Sequence, residues 1–403
     1  MSQENPRDRT KVILFANTDW YLYNFRKPLA LELKRVGATL VLISPDTGYG
    51  RALTDLGLDW RPVPMDRGSL NPFLELGLLL HLWRFFRRER PDVVHGFTIK
   101  CAVYGAIASR LAGVRCRINA VAGMGFVFSN ESTKAKLLRP VVRSLLRLAL
   151  GGKRARLILQ NPDDVALFRE LGIVNPANIR MIAGSGVDCN RFAPRFTRER
   201  AGDKPRVLLA ARLLWDKGFG EFADAARLLR NEGRNIHFLV AGQPDPGNPA
   251  AVPQATIHAW VAEGLFQWLG HVDDMPSLLA SVDIMVLPSY REGLPKSLIE
   301  GAASSLPLVT TDVPGCREVV THEVDGLLVP VKNAVALARA IARLVDDPAL
   351  AQRLGAAARV RAVTSFDEGL VVERTIQVYE EVLRGSMPIG ELRGVPMGGR
   401  ALG

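Results

Sequence analysis

Short apolar runs alternate with amphipathic stretches along the chain, and this alternation predicts an α/β structure. The stretch "KVILFANTDWYLYNFRKPLALELKRVGATLVLISP" contains a β-rich run at 11–16, an apolar spacing of three to four residues from Phe25 to Val36, and a second run, "TLVLIS". A strand, helix and strand in this order predict a parallel sheet with right-handed crossovers. Further strands of this half are predicted at "DVVHG" (92–96), "CRINAVAG" (116–123) and "ARLILQ" (155–160).

A second series of strands follows a segment rich in Pro, Gly and charge, "CNRFAPRFTRERAGDKP" (189–205). It consists of "RVLLAA" (206–211), "IHFLVAG" (236–242), "DIMVLPS" (283–289) and "LPLVTT" (306–311). A chain of 403 residues exceeds the size of one ordinary core. We therefore expect a Rossmann-like domain at 1–190, a linker at 191–205, a second at 206–365, a helix at 366–385 crossing back to the first, and a flexible tail at 386–403.

The cysteines, the polar start and the lengths of the apolar runs indicate where the protein is located. Four separated cysteines with no Cys-x-x-Cys pair fit neither a disulfide framework nor a zinc site, which indicates a reducing cytoplasm. The polar start predicts no signal peptide, and no apolar run approaches the roughly 18 residues of a membrane span. The expected location is therefore cytoplasmic.

Positive charge is concentrated in the first half of the chain. Residues 1–190 contain 28 basic and 16 acidic residues, whereas residues 191–403 contain 24 and 25. The first half is therefore expected to meet an acidic partner. Between Glu131 and Asp163 there is no acidic residue, and a basic amphipathic helix there places Lys136, Arg139, Arg143 and Arg147 opposite an apolar face. This helix and the basic, aromatic segment 78–90 predict contact with an anionic membrane surface; the alternative is a helix packed on the core with a solvated basic back.

The stretch "PSYREGLPKSLIEG" (288–301) carries the clearest chemistry. Glu292 follows a buried strand at its carboxyl end, and Pro295 is predicted at the first position of a helix that contains Glu300. Gly293 permits a close backbone approach to a ligand. Since carboxylates repel phosphate but accept hydrogen bonds from a vicinal diol, the two glutamates suit the sugars of a nucleotide sugar. Arg212 and Lys217 in "ARLLWDKGF" are the candidate cations for its diphosphate, unless they are solvated surface charges.

Four motifs occur in the order "ARLLWDKGF", "WLGHVDDMPSLLASVDIMVLPS", "PSYREGLPKSLIEG" and "TTDVPGCREVV". Together they resemble the donor half of the retaining family-4 glycosyltransferases, and the resemblance runs from about residue 11 to 385. It implies the GT-B fold, with two Rossmann-like doubly wound domains facing a central cleft. It implies that Arg212 and Lys217 contact the donor diphosphate, Glu300 the ribose, and Glu292 the transferred sugar as the catalytic-site carboxylate. It also implies backbone contacts from Gly293 and Leu294, and a main-chain contact of His271 with the base.

The same resemblance implies a retaining reaction by same-face attack, without a metal, a cofactor or a covalent nucleophile. The absence of an Asp-x-Asp motif agrees with the expectation of no metal. The first half, through "YNFRKPLALELKRVG", "VVHGFTIKCAVYG" and "VAGMGFVFS", resembles the enzymes that extend undecaprenyl-diphosphate-linked sugars, including N-acetylgalactosaminyltransferases of bacterial N-glycan assembly. The implied partners are a UDP-sugar such as a UDP-N-acetylhexosamine, a polyprenyl-diphosphate-linked acceptor, and the inner face of the cytoplasmic membrane.

The acceptor side departs from the family pattern, because Ala122 stands where many members have a histidine. His95, read as the end of a strand, is the replacement candidate for the catalytic site, although such a histidine is more often structural. Gly125 in "GMGF" is a candidate for close approach to donor phosphate. The acceptor candidates are Asp19, Asn24, Arg26 and Lys100.

Two other functions fit parts of the sequence. A nucleotide-sugar epimerase shares the two-domain architecture, but the combination of "ARLLWDKG" with the paired glutamates disfavours it. A nucleic-acid-binding protein would agree with a pI of 9.8. It would require a basic surface interleaved with aromatic residues, whereas the charge here lies around an amphipathic helix. We therefore expect no nucleic-acid partner.

Overall fold

The computed structural model describes residues 10–69, 71–121, 143–194, 204–245 and 248–384. The chain divides into two compact units. The first comprises Met1–Ile182 with Val372–Gly403, and the second comprises Ala183–Val371. The predicted tail at 386–403 and most of the predicted linker lie outside the described residues.

The first unit is built on a parallel sheet of seven strands. These are β1 (Lys11–Phe15), β2 (Thr39–Ser44), β3 (Asp59–Pro62), β4 (Val93–Phe97), β5 (Cys116–Ala120), β6 (Ala155–Leu159) and β7 (Ile179–Met181), in the order β3-β2-β1-β4-β5-β6-β7. The order reverses between β1 and β4, where Val12 is paired with Val93 and Phe15 with Gly96. Ligands of such sheets bind outside the carboxyl ends of the strands at this reversal.

Helices connect the strands of the first unit. They are Asp19–Tyr21, a π-helical turn at Leu22–Arg26, Lys27–Arg35, Gly50–Asp55, Pro72–Glu89, Ile99–Ala112, a helical segment at 143–150, Pro162–Glu170, a 3₁₀ turn at Pro176–Asn178, and the last helix Glu368–Leu383 from Val372 onward. Asn161 illustrates how the sequence starts these helices, since its side chain accepts a hydrogen bond from the Asp164 amide and Pro162 occupies the first helical position.

The second unit contains a parallel sheet of six strands. These are β8 (Arg206–Ala210), β9 (His237–Ala241), β10 (Gln267–Trp268), β11 (Ile284–Leu287), β12 (Leu308–Thr311) and β13 (Leu327–Val329), in the order β10-β9-β8-β11-β12-β13. The reversal lies between β8 and β11, where Val207 is paired with Ile284 and Leu209 with Val286. Both faces of this sheet are covered by apolar cores, as the near-continuous apolar strands require.

The helices of the second unit alternate with its strands. They are a 3₁₀ turn at Trp215–Lys217, Phe219–Asn231, Gln254–Ala262, Met275–Ala280, Lys296–Ala303, Cys316–Val319, Ala334–Asp346, Pro348–Arg361 and a π-helical turn at Ala362–Phe366. Pro295 is the N-cap of its helix, one position before the predicted first helical residue, with φ −75° and ψ 107°. The predicted alternation of strands and helices, and the parallel sheets, are confirmed in both units.

Candidate active site

The candidate donor residues lie at the carboxyl ends of the two strands where the second sheet reverses its order. Arg212 and Lys217 follow β8, and Glu292 follows β11. Because β8 and β11 are hydrogen-bonded parallel neighbours, residues 75 positions apart in the sequence meet at one edge of the sheet. This is where an open α/β sheet places its ligand.

Lys217 and Glu292 form a short ion pair at this edge. The Lys217 Nζ donates to Glu292 Oε1 at 2.6 Å, and the two side chains are 15% and 12% exposed. The Ser289 hydroxyl donates to the same carboxylate oxygen at 2.7 Å. Ser289 is fully buried, and its carbonyl accepts a hydrogen bond from the Thr311 hydroxyl of β12. The carboxylate is thus held by two donors, and Ser289 is a site residue that the sequence did not single out.

Two glycines permit the backbone geometry of the site. Gly218 has φ +76°, and a Cβ there would overlap the carbonyl of Pro288, the residue that follows β11. Gly315 has φ +82°, and a Cβ there would lie 2.7 Å from the carbonyl oxygens of both Glu292 and Gly293. At both positions a side chain is excluded, because φ is positive and because a Cβ would lie too close to neighbouring backbone atoms. Gly315, within the quoted motif "TTDVPGCREVV", therefore supports the loop that carries Glu292.

Arg212 is the more exposed of the two candidate cations. Its side chain is 56% exposed, and its guanidinium donates to Asp245 Oδ2 at 2.6 Å. Asp245 lies beyond β9, the strand adjacent to β8, and sequence patterns gave no reason to pair it with Arg212. An exposed ion pair of this kind contributes little to stability. Arg212 can therefore exchange Asp245 for a phosphate ligand at small cost.

Glu300 lies in the helix Lys296–Ala303, eight residues after Glu292. Burial raises its pKa to about 6, although the neighbouring charges of Lys296 and Arg191 act in the opposite direction. A carboxylate that is desolvated but still ionised at neutral pH is a strong acceptor for hydroxyl groups. His271 follows β10 and is half-exposed, with Nε2 at 3.1 Å from Asp273 Oδ1.

In the first unit, the structure corrects the reading of His95 as a strand end. His95 is the central residue of β4 and is 1% exposed, because β4 is paired on both sides and covered on both faces. Its Nδ1 lies 2.7 Å from the Tyr379 hydroxyl of the last helix, and burial, with the charge of Arg26, lowers its pKa well below the ordinary value. A buried histidine bonded to a tyrosine has the surroundings of a structural residue, and direct contact with a substrate is not supported.

Two of the acceptor candidates are also occupied by structural contacts. Asp19 is fully buried and accepts hydrogen bonds from the amides of Trp20, Thr47 and Tyr49 and from the Thr47 hydroxyl. Burial alone would raise its pKa, but these hydrogen bonds outweigh it and the pKa is lowered. The expectation that Asp19 contacts an acceptor is corrected: it holds the loop after β2.

Lys100 is likewise engaged within its own unit. Its ammonium donates to the Glu75 carboxylate at 2.6 Å and to the carbonyls of Asp66 and Ser69 at 2.6 and 3.1 Å. An ammonium has three donors, and all three are used here. Lys100 therefore ties the segment after β3 to the helix Pro72–Glu89, and its contact with an acceptor diphosphate stays a prediction.

Arg26 and Asn24 lie in the π-helical turn after β1. Asn24 Nδ2 donates to the Trp20 carbonyl at 3.0 Å. Arg26 is 5% exposed, donates to the Tyr21 hydroxyl at 2.9 Å, and places its guanidinium 4.3 Å from the centre of the Phe97 ring at the end of β4. No carboxylate among the described residues forms an ion pair with Arg26. It is a buried cation at the reversal of the first sheet, where an anionic ligand would be favoured.

Ala122 and Gly125 lie outside the described residues, and so does the first part of the predicted basic helix, with Lys136 and Arg139. Arg147 is exposed at the surface, yet its Nε donates to the Gly172 carbonyl at 2.8 Å. It thereby caps the carboxyl end of the helix Pro162–Glu170 and is not a free surface charge. Arg143 is partly buried beside the same turn. The expectation that these two arginines face a membrane stays a prediction, with Arg147 exposed and bonded to a carbonyl of its own unit.

No helix within the described ranges is long and apolar enough to cross a membrane. Within the same ranges, no group of three or more His, Cys, Asp or Glu side chains is arranged to hold a metal ion.

The sequence is similar to known enzymes over nearly its whole length. Residues 27–184 match the family described as "Glycosyl transferase 4-like domain", and residues 204–347 match "Glycosyl transferases group 1". The N,N'-diacetylbacillosaminyl-diphospho-undecaprenol alpha-1,3-N-acetylgalactosaminyltransferase of Campylobacter jejuni is 30% identical over 373 residues, covering 90% of this chain and 96% of that protein. The UDP-Gal:alpha-D-GlcNAc-diphosphoundecaprenol alpha-1,3-galactosyltransferase of Escherichia coli is 30% identical over 301 residues, covering 72% and 75%.

Solved structures show the same fold. A glycosyltransferase from Rickettsia africae superposes with a TM-score of 0.74 at 20% identity, covering 94% of this chain and all of that one. Anabaena HepE, solved with UDP and glucose, also gives a TM-score of 0.74, at 19% identity, with 92% and 99% covered. These similarities identify the fold as GT-B. The chain belongs to the group 1 glycosyltransferases, with an amino-terminal domain of the glycosyltransferase 4-like type, and this is the family that its motifs resemble.

Proposed function

We propose that this glycosyltransferase transfers a sugar from a UDP-sugar, such as a UDP-N-acetylhexosamine, to a saccharide linked to undecaprenyl diphosphate, with retention of configuration and without a metal. The observation that carries the proposal is the Lys217–Glu292 pair at the reversal of the second sheet. A cation suited to phosphate and a carboxylate suited to sugar hydroxyls are adjacent there, 2.6 Å apart, and a sugar diphosphate presents both kinds of group.

Each donor residue has a role in this proposal. Lys217 and Arg212 neutralise the diphosphate as it leaves, so that charges already fixed in place stabilise the transition state. Glu292 binds the hydroxyls of the transferred sugar, and the backbone of Gly293 and Leu294 contacts the same substrate. Glu300 accepts hydrogen bonds from the ribose diol, and the main chain at His271 contacts the base. Attack occurs on the face from which the diphosphate leaves, and no residue acts as a covalent nucleophile.

The acceptor is proposed from the relatives and from the first unit. The Campylobacter jejuni and Escherichia coli relatives are named for acceptors linked to undecaprenyl diphosphate. The buried guanidinium of Arg26, with no carboxylate partner among the described residues, supports an anionic ligand at the carboxyl ends of β1 and β4. A lipid-linked acceptor also places the enzyme peripherally at the inner face of the cytoplasmic membrane.

A panel of substrates tests the proposal. Four UDP-sugars (N-acetylgalactosamine, N-acetylglucosamine, galactose and glucose) are incubated with undecaprenyl-diphosphate-linked N-acetylhexosamine acceptors, and the products are analysed by mass and by NMR of the anomeric centre. One added sugar with the donor's configuration, insensitive to EDTA, is the expected result. Inversion of configuration would contradict the mechanism. Conversion of the UDP-sugar in the acceptor-free control would indicate an epimerase.

The pH dependence of donor use is expected to follow Glu300. Because its pKa is raised to about 6, the ionised carboxylate predominates at pH 7 and is lost as the pH falls through 6. Protonation replaces a hydrogen-bond acceptor of the ribose diol by a donor, so kcat/KM for the donor should fall by about tenfold between pH 7 and pH 5. The Glu300→Gln variant should have a lower kcat/KM that no longer changes around pH 6. If its kcat/KM still falls below pH 6 as in the wild type, the titration belongs to another group.

A further inference from the structure

The helix Pro72–Glu89 has two apolar faces. Its inner face contributes Leu78, Leu82, Phe85 and Phe86 to the core of the first unit. A helix on the surface of a globular protein normally has charged and polar side chains on its other face. The first half of the outer face does not follow this pattern.

Large apolar side chains are exposed along the first half of the outer face. Phe73 is 83% exposed, Leu76 54% and Leu80 42%, at spacings of three and four residues that align them on one side of the helix. Leu74, beside Phe73, is 57% exposed. Exposed apolar side chains that adjoin one another on a monomer mark a binding surface.

Arginines occupy the second half of the same outer face. Arg84, Arg87 and Arg88 are exposed, and they continue the spacing that begins at Phe73. Both acidic residues of the helix are turned to other partners: Glu75 binds Lys100, and Glu89 binds Lys11 and Arg61 as well as Arg88. The outer face is therefore apolar at its amino end and positive at its carboxyl end, without a free carboxylate.

A groove accompanies this face. Its volume is about 620 Å³, and Leu74, Leu78 and Phe85 line it together with Arg84 and Arg88. Its lining thus combines an apolar wall with guanidinium groups, which is the chemistry of a phospholipid, with its acyl chains and anionic phosphate.

We propose that the outer face of the helix Pro72–Glu89 is the surface by which the enzyme docks on an anionic phospholipid bilayer. The apolar half, from Phe73 to Leu80, enters the boundary between headgroups and acyl chains, and Arg84, Arg87 and Arg88 bind lipid phosphates. At 1.5 Å per residue the face extends about 22 Å. A helix tilted against the bilayer surface therefore places its apolar half at the acyl boundary and its arginines at the level of the phosphates.

A bilayer is favoured over other occupants by the combination of charge and apolarity. Nucleic acid would bind the arginines but leave the apolar half without a partner. An acidic protein would also bind the arginines, but its carboxylates would not fill a groove whose wall is apolar. The inference rests on the proposed lipid-linked acceptor, since docking would bring the first unit, which contains the proposed acceptor residue Arg26, to a substrate held in the bilayer. It also assigns membrane contact to a helix other than the one around Arg143 and Arg147.

Vesicle co-sedimentation of the full chain tests the apolar half. The Phe73→Ser/Leu76→Ser/Leu80→Ser variant should bind vesicles of phosphatidylglycerol and phosphatidylcholine at least tenfold more weakly than the wild type, because three inserted side chains are lost. A matched control is Leu111→Ser/Val360→Ser, which removes residues exposed by 59% and 63% elsewhere. Its binding should equal that of the wild type.

The arginines are tested separately. The Arg84→Glu/Arg87→Glu variant should lose most of the vesicle binding that requires phosphatidylglycerol and low salt. The control variant Arg51→Glu/Arg169→Glu changes two other exposed arginines, and its vesicle binding should decrease only slightly. Undiminished vesicle binding in the two helix variants would overturn the proposal. Altered oligomeric mass or a lowered melting temperature in the serine variant would instead assign the face to a second copy or to another segment of this chain.

Activity separates this inference from the proposed function. With a short-chain, water-soluble acceptor the helix variants should retain wild-type transfer, and with the undecaprenyl acceptor in vesicles they should lose most of it. A wild type that binds anionic vesicles but transfers no sugar to either acceptor would refute the proposed function and leave the docking surface supported. Equal loss with both acceptors would overturn the docking role.

Discussion

Replacing Glu292 by Gln is expected to lower kcat for sugar transfer by about 10³-fold, the magnitude typical of losing one preorganised electrostatic contact to a transition state. The amide keeps the size of the side chain and can still bond to Ser289, but it loses the negative charge opposite Lys217. Steady-state kinetics with the donor varied should show the loss mainly in kcat, because the substrate can still bind.

The control for this substitution is Glu323→Gln. Glu323 also pairs with a basic residue, Arg343, but both side chains are more than 40% exposed and lie away from the carboxyl ends of β8 and β11. This variant should have wild-type kinetics. A Glu292→Gln enzyme within fivefold of the wild type, with the same melting temperature, would refute the role assigned to Glu292.

The Lys217→Ala variant is expected to lose about 10² to 10³-fold in kcat/KM and to bind UDP more weakly by calorimetry. Two effects combine: the diphosphate loses a cation, and the Glu292 carboxylate, only 12% exposed, loses its counterion. Lys204→Ala, at an exposed lysine before β8, is the matched control and should have no effect on either measurement. Full UDP affinity in the Lys217→Ala variant would contradict its contact with the diphosphate.

Because Lys217 and Glu292 are bonded to each other, their effects should not multiply. The double variant Lys217→Ala/Glu292→Gln is expected to be no more than about tenfold slower than the slower single variant, as is usual for residues that act as one unit. A fully multiplicative loss would show that the two side chains contribute independently, and that the ion pair at 2.6 Å is incidental to catalysis.

The interior strands of both sheets were predictable from the sequence, and most of the edge strands were not. The outermost strands of the two sheets are β3, β7, β10 and β13; three of them had no prediction, and β10 was predicted only as the short run "WLG" before His271. They contain two to four residues, and "DWRP" and "QW" have little apolar character. An interior strand is covered on both faces and reads as an apolar run, whereas an edge strand is short, partly exposed and paired on one side only.

The residues of the candidate site that directly follow the predicted strands of the second unit could be identified from the sequence. Arg212, Lys217 and Glu292 stand out because charged residues interrupt or follow strong apolar runs. Ser289, Asp245 and Gly315 were missed as partners, since each supports a site residue from a distant part of the chain. Their importance depends on which loops are neighbours, and no local pattern encodes this.

In the first unit, the sequence singled out polar residues near strand ends without showing the partners that they have in the fold. Asp19, Lys100 and His95 have the residue types of an acceptor site, but each is occupied by partners of its own unit: Thr47, Glu75 and Tyr379. Arg26, by contrast, is buried without a carboxylate partner among the described residues, and this distinction appears only in three dimensions.

By itself the sequence determined the alternation of strands and helices, the two-unit organisation, and the charged residues placed after β8 and β11, because burial and helical periodicity are local properties of the chain. The tertiary structure decided that β8 and β11 are neighbours, that Lys217 meets Glu292, and which polar side chains are already bonded to others. It also decided that the helix Pro72–Glu89 exposes an apolar face beside its arginines. Strand order and side-chain pairing arise from contacts between distant segments, so only the folded chain specifies them.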